Sequence, residues 1–229
     1  LLHLDAGIAG DTANLAFDSL GGLTADPAEA EAFTRAQHAG SMGPALMLAK
    51  SFDTAGARSL LDVGGGSGAF SIALCQRNPE LRATVLDFPN VIGVAQRFVA
   101  EAGLQDRVSY IRSDAADDDW PGDQDLVLMS YLLSAVAEAS IPQLLRKAWE
   151  ALRPGGRLLV HDFMLDDDEQ GPALAALWFL QYLSGRIDGV CFSAHTLGAQ
   201  LRAIGYDDTT DQVVIPEITK LIVCVRPEE

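Results

Sequence analysis

The chain has 229 residues, with 16 Lys and Arg against 32 Asp and Glu and a formal net charge of −16. That balance excludes a nucleic-acid partner, because phosphate contacts need clustered cations and none occur. No stretch reaches the ~18 apolar residues of a membrane span; the longest, 173–183, is interrupted by Gln181 and ended by Gly185.

Residues 1–26 show no sustained period and read, with the next few residues to 30, as the remnant or linker of an N-terminal domain, which leaves 31–229 as the main domain. Asp26, Pro27 and Glu29 form a helix start: a capping side chain, proline in the first turn, and Glu three residues on. That helix is expected to reach about Gln37–Gly40, break at GSMGP (40–44) and resume as ALMLAKSF. Strand-like runs follow at 59–63, 83–87, 107–111, 125–129, 157–163 and 219–225, with helical patterns at 67–77, 90–102, 140–152, 172–184 and 194–204. Ser140–Gln143 (SIPQ) reads as a capping box, and RPGG (153–156) as a stop before a strand. The acidic clusters at 117–120, 166–169 and 207–208 read as solvated loops.

Continuous apolar strands alternating with helices imply a parallel sheet covered on both faces. The expected architecture is a doubly wound α/β domain with its ligand at the carboxyl ends of the strands. Cys75, Cys191 and Cys224 are widely spaced, with no CxxC, which suggests a reduced, cytoplasmic protein without a zinc site. The histidines and acids show no metal-ligand spacing, so no metal is expected.

Residues 60–74, LLDVGGGSGAFSIAL, run from strand through a glycine turn into a helix. Gly64, Gly66 and Ala69 satisfy G-x-G-x-x-G/A, which keeps a nicotinamide oxidoreductase as an alternative. Asp62 argues against it. A pyrophosphate over this turn would meet a carboxylate two residues before the first glycine. S-Adenosylmethionine, with an ammonium and a sulfonium, is attracted by the same acid. Asp87 ends the next strand, 25 residues beyond Asp62, near the usual spacing of a ribose-binding acid. Asp114 and Ala115 follow the third strand, where an acceptor meets the adenine amino group.

LLDVGGGSGAF, ATVLDFPNV, AGLQDRVSYIRSD, QDLVLMSYLLS and ALRPGGRLLVHDF together resemble the O-methyltransferase family that includes the caffeate and acetylserotonin enzymes. The resemblance spans about residues 31–226. It implies a class I, Rossmann-like methyltransferase fold with a seven-stranded sheet whose last strand is antiparallel. It also implies S-adenosylmethionine as methyl donor, S-adenosylhomocysteine as product, and an N-terminal winged-helix dimerisation domain missing from this chain, so a homodimer when full length. By the same resemblance Gly64 and Gly66 belong to the cofactor turn, Asp87 to the ribose and Asp114 to the adenine. Ser130 stands where the family often has lysine, and Ser41 matches a serine near the methionyl end.

One departure bears on chemistry. Family members that methylate phenols carry Leu-His-Asp-Trp after the fourth strand, the histidine being the general base. Here the stretch is LLSAVAE and Ser134 takes that position. A phenol has a pKa of about 10, so its nucleophilic form is scarce without a base. Either His161, Tyr182 or His195 supplies one, or the acceptor needs none. A thioether sulfur has a lone pair and no proton to lose, and its sulfonium product suits aromatic faces such as Trp178 and Phe179. QHAGSMGPA (37–45), SYLLSAV (130–136) and GPALAALWFL (171–180) are similar to the bacterial S-methyltransferase branch of dimethylsulfoniopropionate synthesis, whose acceptor is 4-methylthio-2-hydroxybutyrate. Its carboxylate would pair with Arg35 or Arg186. O- or C-methylation of a secondary metabolite or chlorin, and a non-catalytic S-adenosylmethionine-binding subunit, are the other readings.

Overall fold

The computed structural model describes residues 22, 24–168, 170–179 and 192–228. Its first helix, α1 (Pro27–Ser51), starts as expected: Asp26 Oδ1 accepts the backbone N–H groups of Ala28 and Glu29 at 2.8 and 3.0 Å. The helix then departs from expectation by running unbroken through Pro44. Gly43 before the proline has no Cβ to clash with the ring, which relaxes the usual restriction on that residue. Burial of Ala45, Leu48 and Ala49 against the sheet offsets the lost hydrogen bond. The boundary expected at residue 31 therefore falls inside a helix whose Ala30 is already buried.

Seven strands follow: β1 (Ser59–Val63), β2 (Arg82–Asp87), β3 (Val108–Arg112), β4 (Gln124–Ser130), β5 (Leu152–Phe163), β6 (Asp207–Ile215) and β7 (Thr219–Val225). Their order in the sheet is β3-β2-β1-β4-β5-β7-β6, with β7 antiparallel to both neighbours. Between them lie α2 (Ala69–Arg77), α3 (Pro89–Glu101), α4 (Ile141–Ala151), α5 (Ala173–Phe179) and α6 (Ala194–Ile204). Alternation along each strand builds two cores. Leu60, Leu126 and Leu128 face α1 and α2, while Leu61, Val127 and Met129 face α4 and α6. Burial on both faces explains why the central strands read as continuous apolar runs.

Three local expectations are corrected. RPGG is not a stop: β5 passes through it, with Gly155 at φ +73° and a register shift opposite Gln124–Leu126. SIPQ forms no capping box, because Ser140 closes a 3-10 turn (Glu138–Ser140) and its side chain caps nothing. The capping box forms instead at Ser193 and Thr196, opening α6. Residues 207–208 are exposed but belong to the edge strand β6 and not to a loop. Only Val214 of that strand is buried, so it carries little apolar signal.

Candidate functional site

The carboxyl ends of β1, β2 and β4 lie side by side beneath residues 64–68, because β1 pairs with β2 on one edge and β4 on the other. This is the switch point of the sheet, where doubly wound folds open a crevice. The turn needs its glycines for distinct reasons. Gly64, Gly66 and Gly68 have φ of +64°, +58° and +77°, the left-handed region. Gly65 is needed for space: a Cβ there would lie 2.8 Å from Asp62 Cγ and 2.9 Å from Val85 Cγ1. A Cβ on Gly66 would meet nothing, so open space lies over the turn.

Asp62 is fully buried at the end of β1. Its Oδ2 accepts the Ser71 hydroxyl at 2.6 Å, while Oδ1 has no hydrogen-bond partner among the described residues. Burial, reinforced by the charge of Asp87, pushes its pKa up to about 6 against the Ser71 hydrogen bond. A buried carboxylate oxygen with no partner costs free energy that a cationic or hydrogen-bond-donating ligand recovers.

Asp87 ends β2 and ties the turn to it. Gly66 N–H donates to Oδ2 at 2.7 Å and Phe88 N–H to Oδ1 at 2.7 Å. Burial pushes Asp87 up to about 6 as well; the two N–H groups oppose the shift and Asp114 adds to it. Asp114 is exposed after β3, with Oδ1 accepting the Ala116 N–H at 2.9 Å, and Ala115 is half-buried beside it. Ser41 is half-buried on α1, one turn from His38, whose Nδ1 shares a 2.8 Å hydrogen bond with Ser67 of the glycine turn. The His38 ring also stacks on Phe98, centroids 3.6 Å apart.

Ser130 ends β4 and shares a 2.9 Å hydrogen bond with His161 Nδ1. The other ring nitrogen of His161 meets Thr219 Oγ1 at 2.9 Å. With both nitrogens engaged, no exposed surface, and burial driving its pKa down to about 3, His161 is a structural histidine. Its neighbour in the chain is Asp162. Successive strand residues face opposite ways, and it is Asp162 that reaches the loop after β4. Ser134 N–H donates to Asp162 Oδ2 at 3.0 Å and Phe163 N–H to Oδ1 at 2.8 Å. Burial pushes Asp162 up to about 6 against these bonds. Its sequence signal is a carboxylate one residue before the end of β5.

An aromatic row runs from the glycine-turn helix outward. Phe70 lies 5.2 Å from His161, His161 4.8 Å from Tyr131, Tyr131 5.0 Å from Phe163, and Phe163 stacks on Trp178 at 4.1 Å. Tyr131 takes φ +56° immediately after β4, which sends Leu132 across Gly64. Trp178 is half-buried, with its Nε1 unpartnered among the described residues.

Other predicted residues fall elsewhere. His195 is exposed at the start of α6, in a groove with Asp166–Asp168 and Lys220 at the β7–β6 end of the sheet, away from β1. Arg35 pairs with Glu31 at 3.0 Å, and its guanidinium lies 5.7 Å from the Phe98 ring centre. It is committed to the α1–α3 surface. Phe179 is packed in the interior rather than offered to a ligand. Tyr182, Arg186 and Cys191, and the expected helix beyond 179, lie outside the described residues. Among the described residues no group of three or more His, Cys, Asp or Glu could hold a metal ion, and no helix is long and apolar enough to cross a membrane.

The O-methyltransferase domain family matches residues 8–205. A 3-hydroxy-5-methyl-1-naphthoate 3-O-methyltransferase of Streptomyces sahachiroi is 38% identical over 141 residues, covering 62% of this chain and 41% of that protein. An L-tyrosine C(3)-methyltransferase of Streptomyces lavendulae is 34% identical over 166 residues, covering 72% and 45%. The chain thus spans less than half the length of these two curated relatives. Among solved structures, the apo form of the S-adenosylmethionine-dependent methyltransferase SibL matches with TM-score 0.82 and 30% identity, over 99% of this chain and 69% of that one.

Proposed function

The chain belongs to the O-methyltransferase domain family, and from that premise we propose that it transfers a methyl group from S-adenosylmethionine to a small-molecule acceptor. The observation that carries this is Asp62, a buried carboxylate whose Oδ1 lacks a partner beside an open glycine turn. It suits a cationic nucleoside and repels a diphosphate. The other residues fit the same ligand. Asp87 keeps a free lone pair on each oxygen for the ribose hydroxyls, Asp114 and Ala115 border the adenine, and Ser41 and Ser130 flank the methionyl end. When bound, S-adenosylmethionine supplies an electrophilic methyl on a sulfonium. The domain from helix α1 onward serves as the catalytic domain, and the full-length protein acts as a cytoplasmic homodimer.

The acceptor, in this reading, needs no general base. Ser134 stands at the position of the family histidine, buried and bound to Asp162. Both Asp162 oxygens already accept N–H groups and the side chain has no exposed surface. His161 is locked between Ser130 and Thr219. Among the described residues, what remains is alignment and exclusion of water, which suffice for a nucleophile without a proton to lose. A thioether such as 4-methylthio-2-hydroxybutyrate is the first choice, with the faces of Tyr131 and Trp178 suited to the sulfonium product. The two Streptomyces relatives are an oxygen and a carbon methyltransferase. An aromatic ring methylated at oxygen or carbon is therefore the second reading, favoured by the Phe163–Trp178 stack.

Calorimetry tests the first step: tight binding of S-adenosylhomocysteine and none of NADH is expected, and the reverse result rejects methyl transfer. Incubation of the full-length protein with methyl-labelled donor and either 4-methylthio-2-hydroxybutyrate or a panel of phenolic acids tests the second. Label in a sulfonium supports the thioether. Label only in the phenolic products rejects it. Binding without turnover of any acceptor points to a regulatory subunit.

A further inference from the structure

The turn after β3 is held from outside by side chains of α4, above all Lys147. Lys147, on α4, donates from Nζ to the carbonyl oxygens of Ala115, Ala116 and Asp118 at 2.7, 3.0 and 2.6 Å. An ammonium has three N–H donors and no acceptor, so all three are spent on this turn. Three carbonyl dipoles aimed at one point repel each other unless a cation sits there, and Lys147 is that cation. Its neighbours complete the brace. Gln143, one turn earlier on α4, donates to the Ala116 carbonyl at 2.9 Å, and Trp120 Nε1 donates to the Ala115 carbonyl at 3.0 Å. The ammonium lies 5.3 Å from the centre of the Trp120 ring.

The braced residues adjoin the site. Asp114 and Ala115 are the first two residues of the turn, and Asp114 is close enough to Asp87 to raise its pKa. Lys147 itself binds the outer carbonyls and has no donor left for a ligand. We propose that Lys147 is a positioning residue for the donor nucleoside. It holds Asp114 and Ala115 where they meet the adenine, so adenine affinity depends on a side chain that never touches it. This inference rests on the methyl-transfer reading of the same site.

The test is calorimetry of S-adenosylhomocysteine with the full chain as wild type, K147M and K147R, together with amide hydrogen exchange at residues 113–119. K147M should fold, exchange faster at 114–118, and raise Kd about tenfold or more. K147R keeps several N–H donors and a cation over Trp120; it should recover most of the affinity and the protection. Wild-type affinity in K147M overturns the inference. So does K147R binding as weakly as K147M while its turn is as protected as wild type. If K147M does not fold, Q143L, which removes only the bond to Ala116, should raise Kd about threefold; an unchanged Kd there overturns the inference. A wild-type chain that binds no S-adenosylhomocysteine overturns the parent reading instead, so the two failures are distinct.

Discussion

Ser134 donates its backbone N–H to Asp162 Oδ2 at 3.0 Å, and neither residue has more than 1% of its surface exposed. The loop after β4 is thereby pinned to the end of β5. The pair occupies the place where a base would be sought, and its burial leaves neither side chain open to a ligand. An imidazole at this position would have to displace packed neighbours, at a cost of about 1–3 kcal/mol. S134H is expected to show no gain in methyl transfer to either thioether or phenolic acceptors, and a lowered Tm. A variant that acquires phenol methylation at neutral pH contradicts the base-independent reading.

The orphaned oxygen of Asp62 predicts a pH-dependent ligand affinity. Its carboxyl has a pKa of about 6 in the ligand-free protein, so protonation below that value removes the charge that attracts the donor. Binding of S-adenosylmethionine should weaken as pH falls from 7.5 to 5. D62N should bind at least tenfold more weakly at pH 7.5 and lose part of that pH dependence, the rest belonging to Asp87, which burial also raises to about 6. Titrations at several pH values check both, and a D62N affinity equal to wild type removes Asp62 from the site.

Stability should move the other way. Asp62, Asp87 and Asp162 are each raised to about 6 by burial, above the unfolded value of about 3.9. Between these values the folded chain holds protons that the unfolded chain has released, so stability falls as pH rises through about 4 to 6. The net charge of −16 adds repulsion in the same direction. The ligand-free protein is expected to melt higher at pH 5 than at pH 7.5, with S-adenosylhomocysteine narrowing the gap. Thermal melts across this range decide it; a Tm that climbs from pH 5 to 7.5 contradicts the assignment.

Gly65 is a steric position rather than a conformational one. A methyl group there meets Asp62 Cγ at 2.8 Å and Val85 Cγ1 at 2.9 Å, neither of them the end of a flexible chain. G65A should cost about 1–3 kcal/mol and displace the Asp62 carboxylate, raising Kd for S-adenosylhomocysteine. Denaturant melts and calorimetry on the same preparation measure both effects. A fully stable G65A with unchanged affinity rules out this packing.

His161 gives a spectroscopic prediction. With its pKa held near 3 by burial, its imidazole proton resonances should not titrate between pH 5 and 8. A midpoint inside that range would restore it as a candidate base.

Local chemistry wrote much of this fold into the chain order. The Asp26 cap, the glycine turn between β1 and α2, and the limits of β1, β7 and α6 follow from side-chain periodicity and turn sterics, which act over a few residues. The acids at 62, 87 and 114 were legible as a set because parallel strands all end on the same side of the sheet. Tertiary structure decided what depends on neighbours distant in sequence. Helix α1 survives Pro44 because the sheet buries the turn that follows it. Strand β6 exists because β7 offers an edge, although its own residues are mostly polar. His161 is silent and Asp162 faces the β4 loop because pairing with β4 and β7 sets which side each one takes. Lys147 braces a turn about 30 residues earlier in the chain. Contacts of this kind leave no period in the sequence, since their energy comes from where the chain returns and not from what lies beside each residue.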